Sequence, residues 1–216
     1  MVDSEKLQTF VKDIPNINTY PLTYVFESTQ GLQLKQKPDT LWLEFGVASG
    51  RTINYISKFL NDDEKIFGFD SFLGLPEKWR DGFGQGMFTL NGDLPLVNKN
   101  VELIKGWFNE TLEEFLLSKN KKISFVHIDC DLYSSTKYVL STMENYLDDD
   151  CIFVFDELVN YPGYDGDNGE LRAFYEFISE NENELSYEWI GMDGTIGMFG
   201  YYHENVAVRI LKKSNI

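Results

Sequence analysis

Apolar and polar positions follow two different spacings from residue 41 onward. Short apolar runs rich in β-branched and aromatic residues predict strands, which lie at 41–45, 65–70, 101–105, 123–129, 151–156, 186–190 and 206–211. After the first strand, apolar residues recur at helical spacing, as at Ile53, Ile56 and Leu60. The helix after the fourth strand is expected to start near Ser134, a candidate helix cap. Strands that alternate with helices are typical of an α/β fold with parallel strands and crossover helices. The last two strands predict a terminal antiparallel hairpin.

Residues 1–40 do not follow this alternation. Prolines interrupt them at positions 15, 21 and 38, which predicts one or two helices that form an N-terminal helical cap over the sheet. We therefore expect a cap of residues 1–40 and a main domain of residues 41–216. Within that domain, residues 74–95 are rich in glycine and polar residues and too long for an ordinary connection, which is typical of a lid or a binding loop.

The surplus of acidic residues argues against some classes of binding partner. Acidic residues outnumber basic ones by 35 to 19 among 216 residues, for a net charge of -16, and no Lys/Arg cluster interrupts this surplus. A nucleic-acid partner and an anionic membrane surface are therefore not expected. A small-molecule ligand or a cation suits such a surface.

The cysteines and the N-terminal residues indicate the cellular compartment in which we expect the protein. Two cysteines, Cys130 and Cys151, do not make a disulfide framework and are interpreted as reduced thiols. The first ten residues, MVDSEKLQTF, have no apolar signal core, and no apolar run reaches the length of a membrane span. We expect a cytoplasmic protein.

The first predicted strand ends in a turn with two glycines, Gly46 and Gly50, within 44-EFGVASGRT-52. Glycine permits a tight turn and close approach of the backbone to a ligand, and the following helix start favours an anionic group. Asp70 ends the second strand, where a carboxylate can accept hydrogen bonds from both hydroxyls of a ribose. Together these residues predict an adenosine-type ligand, although the glycines alone also fit an ordinary turn.

The glycine spacing distinguishes between adenosine ligands. It differs from G-x-G-x-x-G by lacking the glycine that brings the backbone against a pyrophosphate. S-adenosylmethionine, which has no phosphate, is therefore favoured. Glu44 is a candidate to hold its cationic amino group, directly or through water; the alternative is a strand-end acid paired with Arg51 or a lysine.

Acidic residues follow two successive strands, with Asp129 and Asp131 after the fourth and Asp156 and Glu157 after the fifth. The carboxyl ends of parallel strands face the ligand crevice, so we expect Asp129, Asp156 and Glu157 to meet there. Neither motif contains a basic residue before Lys137, and acids that converge without a base favour a hard divalent cation. Mg²⁺ is predicted, with Ca²⁺ and Mn²⁺ as alternatives. The alternative interpretation has no metal: the acidic side chains are solvated and cap the following helices. Asp131 is a weaker candidate metal ligand than the other three acids.

A cation at this position suits methyl transfer to oxygen. It would lower the pKa of an acceptor hydroxyl and place the oxygen in line with the methyl group. Asp129 is the candidate catalytic base that takes the hydroxyl proton.

Five segments, in this order and spacing, resemble the macrocin and mycinamicin sugar O-methyltransferases: EFGVASGRT, GFDSFLGLPE, KGWFNETL, HIDCDLYSST and FDELVNYPGY. The second and the fourth segment carry most of the specificity. The resemblance implies a class I methyltransferase fold with a Rossmann-like sheet, S-adenosylmethionine and Mg²⁺ as cofactors, and a sugar hydroxyl as acceptor. It also implies a homodimer formed through the cap.

The resemblance assigns cofactor contacts to Thr23, Glu44, Gly46, Ser49, Gly50, Asp70, Ser71, Gly106, Trp107 and Asp129. Within this set, Asp70 and Ser71 hold the ribose, and Gly106 and Trp107 lie near the adenine. The resemblance also assigns the metal to Asp129, Asp156 and Glu157, with Asp129 as the base. The chain departs from the family at Glu157, where a second aspartate is usual, which leaves open whether this longer side chain binds the metal directly or through water.

Two functions remain as alternatives to a sugar methyltransferase. A catechol-like vicinal diol is the alternative acceptor, and a binding module that holds cofactor or metal without turnover is the alternative class of protein.

Two further motifs have less support. Tyr133 and Lys137 match the Y-x-x-x-K motif of short-chain reductases, but the nicotinamide glycine pattern is missing, and Tyr133 is instead a candidate for lining the acceptor pocket. His127 and Cys130 are too isolated for a zinc site, and His127 is interpreted as a core histidine.

Overall fold

The computed structural model describes residues 4–161, 169–195 and 203–213. The helices are α1 (Ser4–Val11), α2 (Pro21–Phe26), α3 (Arg51–Ile56), α4 (Phe108–Lys119), α5 (Tyr133–Met143) and α6 (Glu170–Glu180). The strands are β1 (Thr40–Phe45), β2 (Ile66–Asp70), β3 (Val101–Lys105), β4 (Lys122–Ile128), β5 (Leu147–Phe155), β6 (Leu185–Met192) and β7 (Val206–Lys212). Short 3-10 helices extend α3 and α5 at Ser57–Phe59 and Glu144–Tyr146.

The strands form one seven-stranded sheet in the order β3-β2-β1-β4-β5-β7-β6. Strands β1 to β5 pair in parallel, whereas β7 is antiparallel to both of its neighbours, β5 and β6. This confirms the predicted α/β fold with a mostly parallel sheet and a terminal antiparallel hairpin. The strand order reverses between β1 and β4, and ligand crevices form at the carboxyl ends of strands at such a point.

Both faces of the sheet are covered. On one face, buried aromatic and aliphatic side chains of the strands pack against α4, α5 and α6, with Phe155 and Phe174 5.0 Å apart between ring centroids. On the other face, α2 and α3 cover a second cluster in which Phe26 lies 5.3 Å from Trp42 and 5.1 Å from Phe125. Burial on both faces explains why the parallel strands are almost continuously apolar in sequence.

The largest boundary difference concerns β5, which begins at Leu147 rather than at the predicted residue 151. Three consecutive aspartates at 148–150 resemble a polar turn in sequence. In the fold, Lys37 Nζ lies 2.5 Å from Asp148 and Arg209 Nε lies 3.2 Å from Asp150, while Asp150 pairs with Leu211 of β7. Distant basic residues and the neighbouring strand therefore extend β5, and neither is visible in the local pattern.

The N-terminal segment contains two helices, where one or two were expected. Helix α1 packs against α6, and α2 packs against β7. Residues 15–17 add backbone hydrogen bonds to the end of β6, since Ile17 N–H donates to the Met192 carbonyl and Met192 N–H donates to the Pro15 carbonyl, both at 2.9 Å. Among the described residues, no helix has the length and apolarity that crossing a membrane requires.

Candidate active site

A cavity of about 570 Å³ opens at the carboxyl ends of β1 to β5. This volume lies in the range of pockets that bind drug-sized ligands and cofactors. Predicted site residues from every one of these strand ends line the cavity, namely Gly46, Ser49, Asp70, Ser71, Gly106, Trp107, Asp129, Asp156 and Glu157. The topology therefore brings together residues that are widely separated in sequence.

Gly46 lies where the turn after β1 passes directly against the end of β4. Its φ is +88°, and a Cβ atom built on it would lie 1.8 Å from the carbonyl oxygen of Asp129. The backbone immediately before Gly46 is also hydrogen-bonded to the end of β4, since Asp129 N–H donates to the Phe45 carbonyl at 2.9 Å. A side chain at Gly46 would therefore displace Asp129 from the cavity floor.

Asp70 braces the glycine turn through its carboxylate. Oδ2 accepts hydrogen bonds from the backbone N–H groups of Val47 (2.9 Å) and Ala48 (2.8 Å), and Oδ1 accepts one from Phe72 N–H (2.7 Å). Bonds between a carboxylate and backbone N–H groups are among the stronger hydrogen bonds in proteins. Asp70 thus fixes the shape of the turn and still lines the cavity, where ribose binding by Asp70 remains a prediction.

The acidic cluster consists of Asp129, Asp156 and Glu157, whose candidate ligand atoms all lie within 4.8 Å of one another. Glu157 Oε2 is buried and has no hydrogen-bond partner in the described part of the chain. Across residues 4–161, 169–195 and 203–213, no lysine or arginine forms an ion pair with any of the three carboxylates. His127 beside Asp156 is the one cationic partner of these carboxylates in the ion pairs of the described residues, and a hard divalent cation fits the remaining oxygen donors of the three carboxylates.

The protonation tendencies agree with this charge imbalance. Burial raises the pKa of Asp129 well above its usual value, and the negative charge of Asp156 adds to this shift. Burial likewise raises the pKa of Glu157, with further contributions from Asp129 and Asp156. Burial alone would also raise the pKa of Asp156, but the interaction with His127 and the hydrogen bond from Tyr20 together outweigh it and lower that pKa. The protein by itself therefore favours ionisation at Asp156 and opposes it at Asp129 and Glu157.

Three side chains outside the cluster surround Asp156. The Tyr20 hydroxyl donates to Asp156 Oδ1 at 3.0 Å, and Asn205 Nδ2 donates to the same oxygen at 2.5 Å. His127 Nε2 lies 3.8 Å from Oδ1, which is an ion-pair distance rather than a hydrogen bond. Burial, followed by the charge of Asp156, raises the pKa of Tyr20, so its hydroxyl remains a donor at neutral pH.

Glu44 is fully buried and pairs with His127 rather than with Arg51 or a lysine. His127 Nδ1 lies 3.3 Å from Glu44 Oε2, and the two residues occupy paired positions on β1 and β4. Burial alone would lower the pKa of His127, but its contacts with Asp156 and Glu44 raise it well above the usual value, which favours the imidazolium. The histidine interpreted from sequence as a core residue thus also connects the buried Glu44 carboxylate with the partly buried Asp156 carboxylate.

Three predicted cofactor residues do not line the cavity: Thr23, Glu44 and Gly50. Thr23 lies within α2, and Glu44 faces His127. Gly50 lies in the left-handed region with a φ of +79° and precedes α3, where the side chains of Pro95 and Val97 lie against it. Their cofactor contacts remain predictions.

One interpretation of the segment after β4 is wrong, and a second stays a prediction. Ser134 does not cap α5, because Leu132 occupies the cap position and the Ser134 hydroxyl instead donates to Glu77 Oε1 at 2.6 Å. Tyr133 is not among the described residues that line the cavity, and its hydroxyl donates to Glu176 Oε2 of α6 at 2.6 Å, so its place in the acceptor pocket stays a prediction. The Ser134–Glu77 bond fastens the 74–95 loop beside the cavity.

Asp131 lines the cavity, with a pKa raised to about 7 by burial and by the charge of Asp156.

Sequence reasoning missed Tyr20 and Asn205 as neighbours of the cluster. Tyr20 belongs to the segment 20-YPLTYVFE-27, in which the family resemblance assigns a role to Thr23 alone, and Asn205 immediately precedes β7. Neither residue carries a local signal, because both reach Asp156 only through the packing of the cap and of β7.

Comparison with known proteins complements this geometry. The profile of a family described as "Methyltransferase domain" matches residues 43–158, which is more than half of the chain. No curated protein sequence matches the chain. The calicheamicin methyltransferase CalS11 has a similar structure, with a TM-score of 0.58 and 21% identity over 95% of this chain and 90% of that chain.

Two further solved structures are similar. The O-methyltransferase NovP gives a TM-score of 0.54 at 18% identity, over 94% of this chain and 77% of that chain. The O-methyltransferase from Bacillus cereus in complex with SAH gives 0.53 at 16% identity, over 99% and 92%. At these identities the likeness concerns the fold, and it confirms the predicted class I methyltransferase fold.

Proposed function

Because the chain belongs to the methyltransferase domain family, we propose that it transfers the methyl group of S-adenosylmethionine to a hydroxyl of a sugar or a sugar-containing small molecule, with Mg²⁺ at the acidic cluster. The observation that carries this proposal is the convergence of Asp129, Asp156 and Glu157 within 4.8 Å at the floor of the cavity. Such a cluster is not needed to bind the cofactor alone, so it points to activation of an oxygen nucleophile.

The cofactor would occupy the part of the cavity between β1, β2 and β3. The turn at Gly46 and Ser49, the end of β2 at Asp70 and Ser71, and the residue Trp107 after β3 line this region. The turn is braced before any ligand arrives, because Asp70 already accepts hydrogen bonds from its backbone. A braced turn lowers the ordering cost of binding.

The carboxylates of the acidic cluster would hold Mg²⁺, which supplies Lewis-acid stabilisation of a deprotonated hydroxyl. Asp129 is the proposed base because its carboxylate lines the cavity as part of the acidic cluster, where it would lie beside a hydroxyl held by the metal. In the transfer, the C–S bond of the sulfonium breaks with its electron pair left on sulfur, the C–O bond forms, and the hydroxyl proton passes to Asp129. Positioning of the two reactants supplies much of the remaining rate.

The sugar acceptor is proposed on the macrocin- and mycinamicin-type motifs. One structure of similar fold, at 21% identity, is described as a TDP-rhamnose 3'-O-methyltransferase, which is a statement about that protein and not about this acceptor. A catechol-like vicinal diol is the second candidate, since an acidic metal site also suits two adjacent hydroxyls. On the resemblance alone, we also propose a homodimer through the N-terminal cap, which light scattering tests.

The experiment combines Asp129→Asn with metal removal. Nucleotide sugars, free glycans and catechols are incubated with methyl-labelled S-adenosylmethionine, with and without EDTA. We expect transfer to one acceptor class, loss of transfer with EDTA that added Mg²⁺ restores, and a rate about 10²–10⁴-fold lower for Asp129→Asn, as is usual for loss of a general base.

S-adenosylhomocysteine affinity serves as the control and is expected to be largely unchanged in Asp129→Asn. Transfer that is insensitive to EDTA would remove the metal from the proposal. Cofactor binding without transfer to any acceptor would favour a binding module.

A further inference from the structure

We propose that Tyr20, presented by the N-terminal cap, is a positioning residue of the metal centre, where its hydroxyl orients the Asp156 carboxylate. This inference rests on the proposed function, because it concerns the same acidic cluster. It assigns a role to the segment before the family match, which covers residues 43–158.

The geometry at Asp156 shows how the orientation is set. Oδ1 accepts hydrogen bonds from two side chains, the Tyr20 hydroxyl at 3.0 Å and Asn205 Nδ2 at 2.5 Å. Asn205 Nδ2 also donates to the backbone carbonyl of Asp156 at 2.8 Å. Two donors from separate chain segments, the N-terminal cap and the segment before β7, restrain the carboxylate, so the side chain is already ordered when a cation binds.

The position of Tyr20 is itself well determined. Tyr20 immediately precedes α2 with φ -61° and ψ +132°, the extended conformation that a following proline imposes. Pro21 begins the helix, and Leu22 and Val25 are buried against the sheet. On the other side, the Ile17 N–H is bonded to the end of β6. The hydroxyl is therefore held between two anchored segments.

Outer partners of metal ligands have a measurable effect on binding. When a carboxylate ligand loses its hydrogen-bond donor, metal binding itself must order the carboxylate, which costs part of the binding free energy. Removal of such a donor typically weakens metal affinity about 10–100-fold. Because Asn205 remains on the same oxygen of Asp156, we expect the lower end of this range for removal of the Tyr20 hydroxyl alone.

The test is a Mn²⁺ titration followed by electron paramagnetic resonance on the full chain without cofactor or acceptor. Tyr20→Phe removes only the hydroxyl, and Tyr24→Phe makes the same change on α2 at a residue outside the cavity lining. We expect the Kd for Mn²⁺ to rise about tenfold in Tyr20→Phe and to stay within twofold in Tyr24→Phe. The affinity for S-adenosylhomocysteine is expected to be unchanged in both variants.

The outcomes are distinguishable. If wild-type protein binds Mn²⁺ and Tyr20→Phe binds it equally well, the role of Tyr20 is wrong and the proposed metal site stands. An equal loss of S-adenosylhomocysteine affinity in Tyr20→Phe would overturn the positioning role by showing general damage. If wild-type protein binds no Mn²⁺, both proposals fail. Asn205→Ala removes the second donor to Asp156 and is expected to weaken Mn²⁺ binding in the same direction, which keeps the test decisive if Tyr20→Phe folds poorly.

Discussion

Replacement of Gly46 by alanine tests whether the close approach of β1 and β4 builds the site. The added Cβ would lie 1.8 Å from the Asp129 carbonyl oxygen and 2.8 Å from its carbonyl carbon, both of which are backbone atoms that cannot rotate away. The turn after β1 and the end of β4 would have to separate. Since Asp129 belongs to the acidic cluster, the same movement alters the metal site.

The magnitude follows from two separate costs. A φ of +88° places alanine in the left-handed region, which costs roughly 1–2 kcal/mol. The overlap with backbone resembles overpacking of a core, which costs roughly 1–3 kcal/mol. Together these give about 2–5 kcal/mol, a large part of the roughly 5–15 kcal/mol that stabilises a typical domain.

Two glycines of the 74–95 loop provide matched controls for Gly46. Gly82 has a φ of +86° and open space at its Cβ position, so Gly82→Ala carries the backbone cost alone, roughly 1–2 kcal/mol. Gly84 has open space and no left-handed φ, so Gly84→Ala is expected to be neutral or to stabilise by up to about 1 kcal/mol. Urea unfolding followed by circular dichroism gives the free energy of unfolding of each variant.

The reasoning would be refuted if Gly46→Ala lost no more stability than Gly82→Ala. It would also be refuted if Gly46→Ala kept wild-type affinity for both Mn²⁺ and S-adenosylhomocysteine. Either result would mean that the turn tolerates a Cβ without moving Asp129.

Three further predictions concern hydrogen bonds near the cavity. Asp70→Asn weakens the bracing of the glycine turn, so we expect unfolding to become easier by about 1.5–3 kcal/mol in urea titrations and S-adenosylhomocysteine affinity to fall in calorimetry, whereas unchanged values would contradict the bracing role. Ser134→Ala breaks the bond to Glu77 on the 74–95 loop, and a KM for the acceptor about three- to tenfold higher is expected in steady-state kinetics with cofactor affinity unchanged. Tyr133→Phe removes a hydroxyl bonded to Glu176 outside the cavity, so the methyl transfer rate is expected to remain within twofold, and a loss beyond tenfold would place Tyr133 in the reaction.

Some features of this protein were determined by local sequence. The alternation of apolar runs with helical patterns predicted the parallel strands, because short continuous apolar runs fit strands that are buried on both faces, whereas a period of 3.6 fits helices that bury one face. The glycine turn at Gly46 and the placement of Asp129 and Asp156 in one site were also predictable from sequence, because the carboxyl ends of parallel strands in such folds meet at one crevice. These features gave the class of fold and the chemistry of the cluster.

Other features depended on contacts between distant parts of the chain. Tyr20 and Asn205 reach Asp156 from separations of 136 and 49 residues, and His127 connects Asp156 with Glu44 across neighbouring strands. The Ser134 hydroxyl could cap a helix or bind a loop, and only the position of Glu77 decided between these. Local sequence patterns predict which residues face the interior. The hydrogen-bond partner of a buried polar group, by contrast, depends on which distant chain segment packs against it, and this is determined by the tertiary structure.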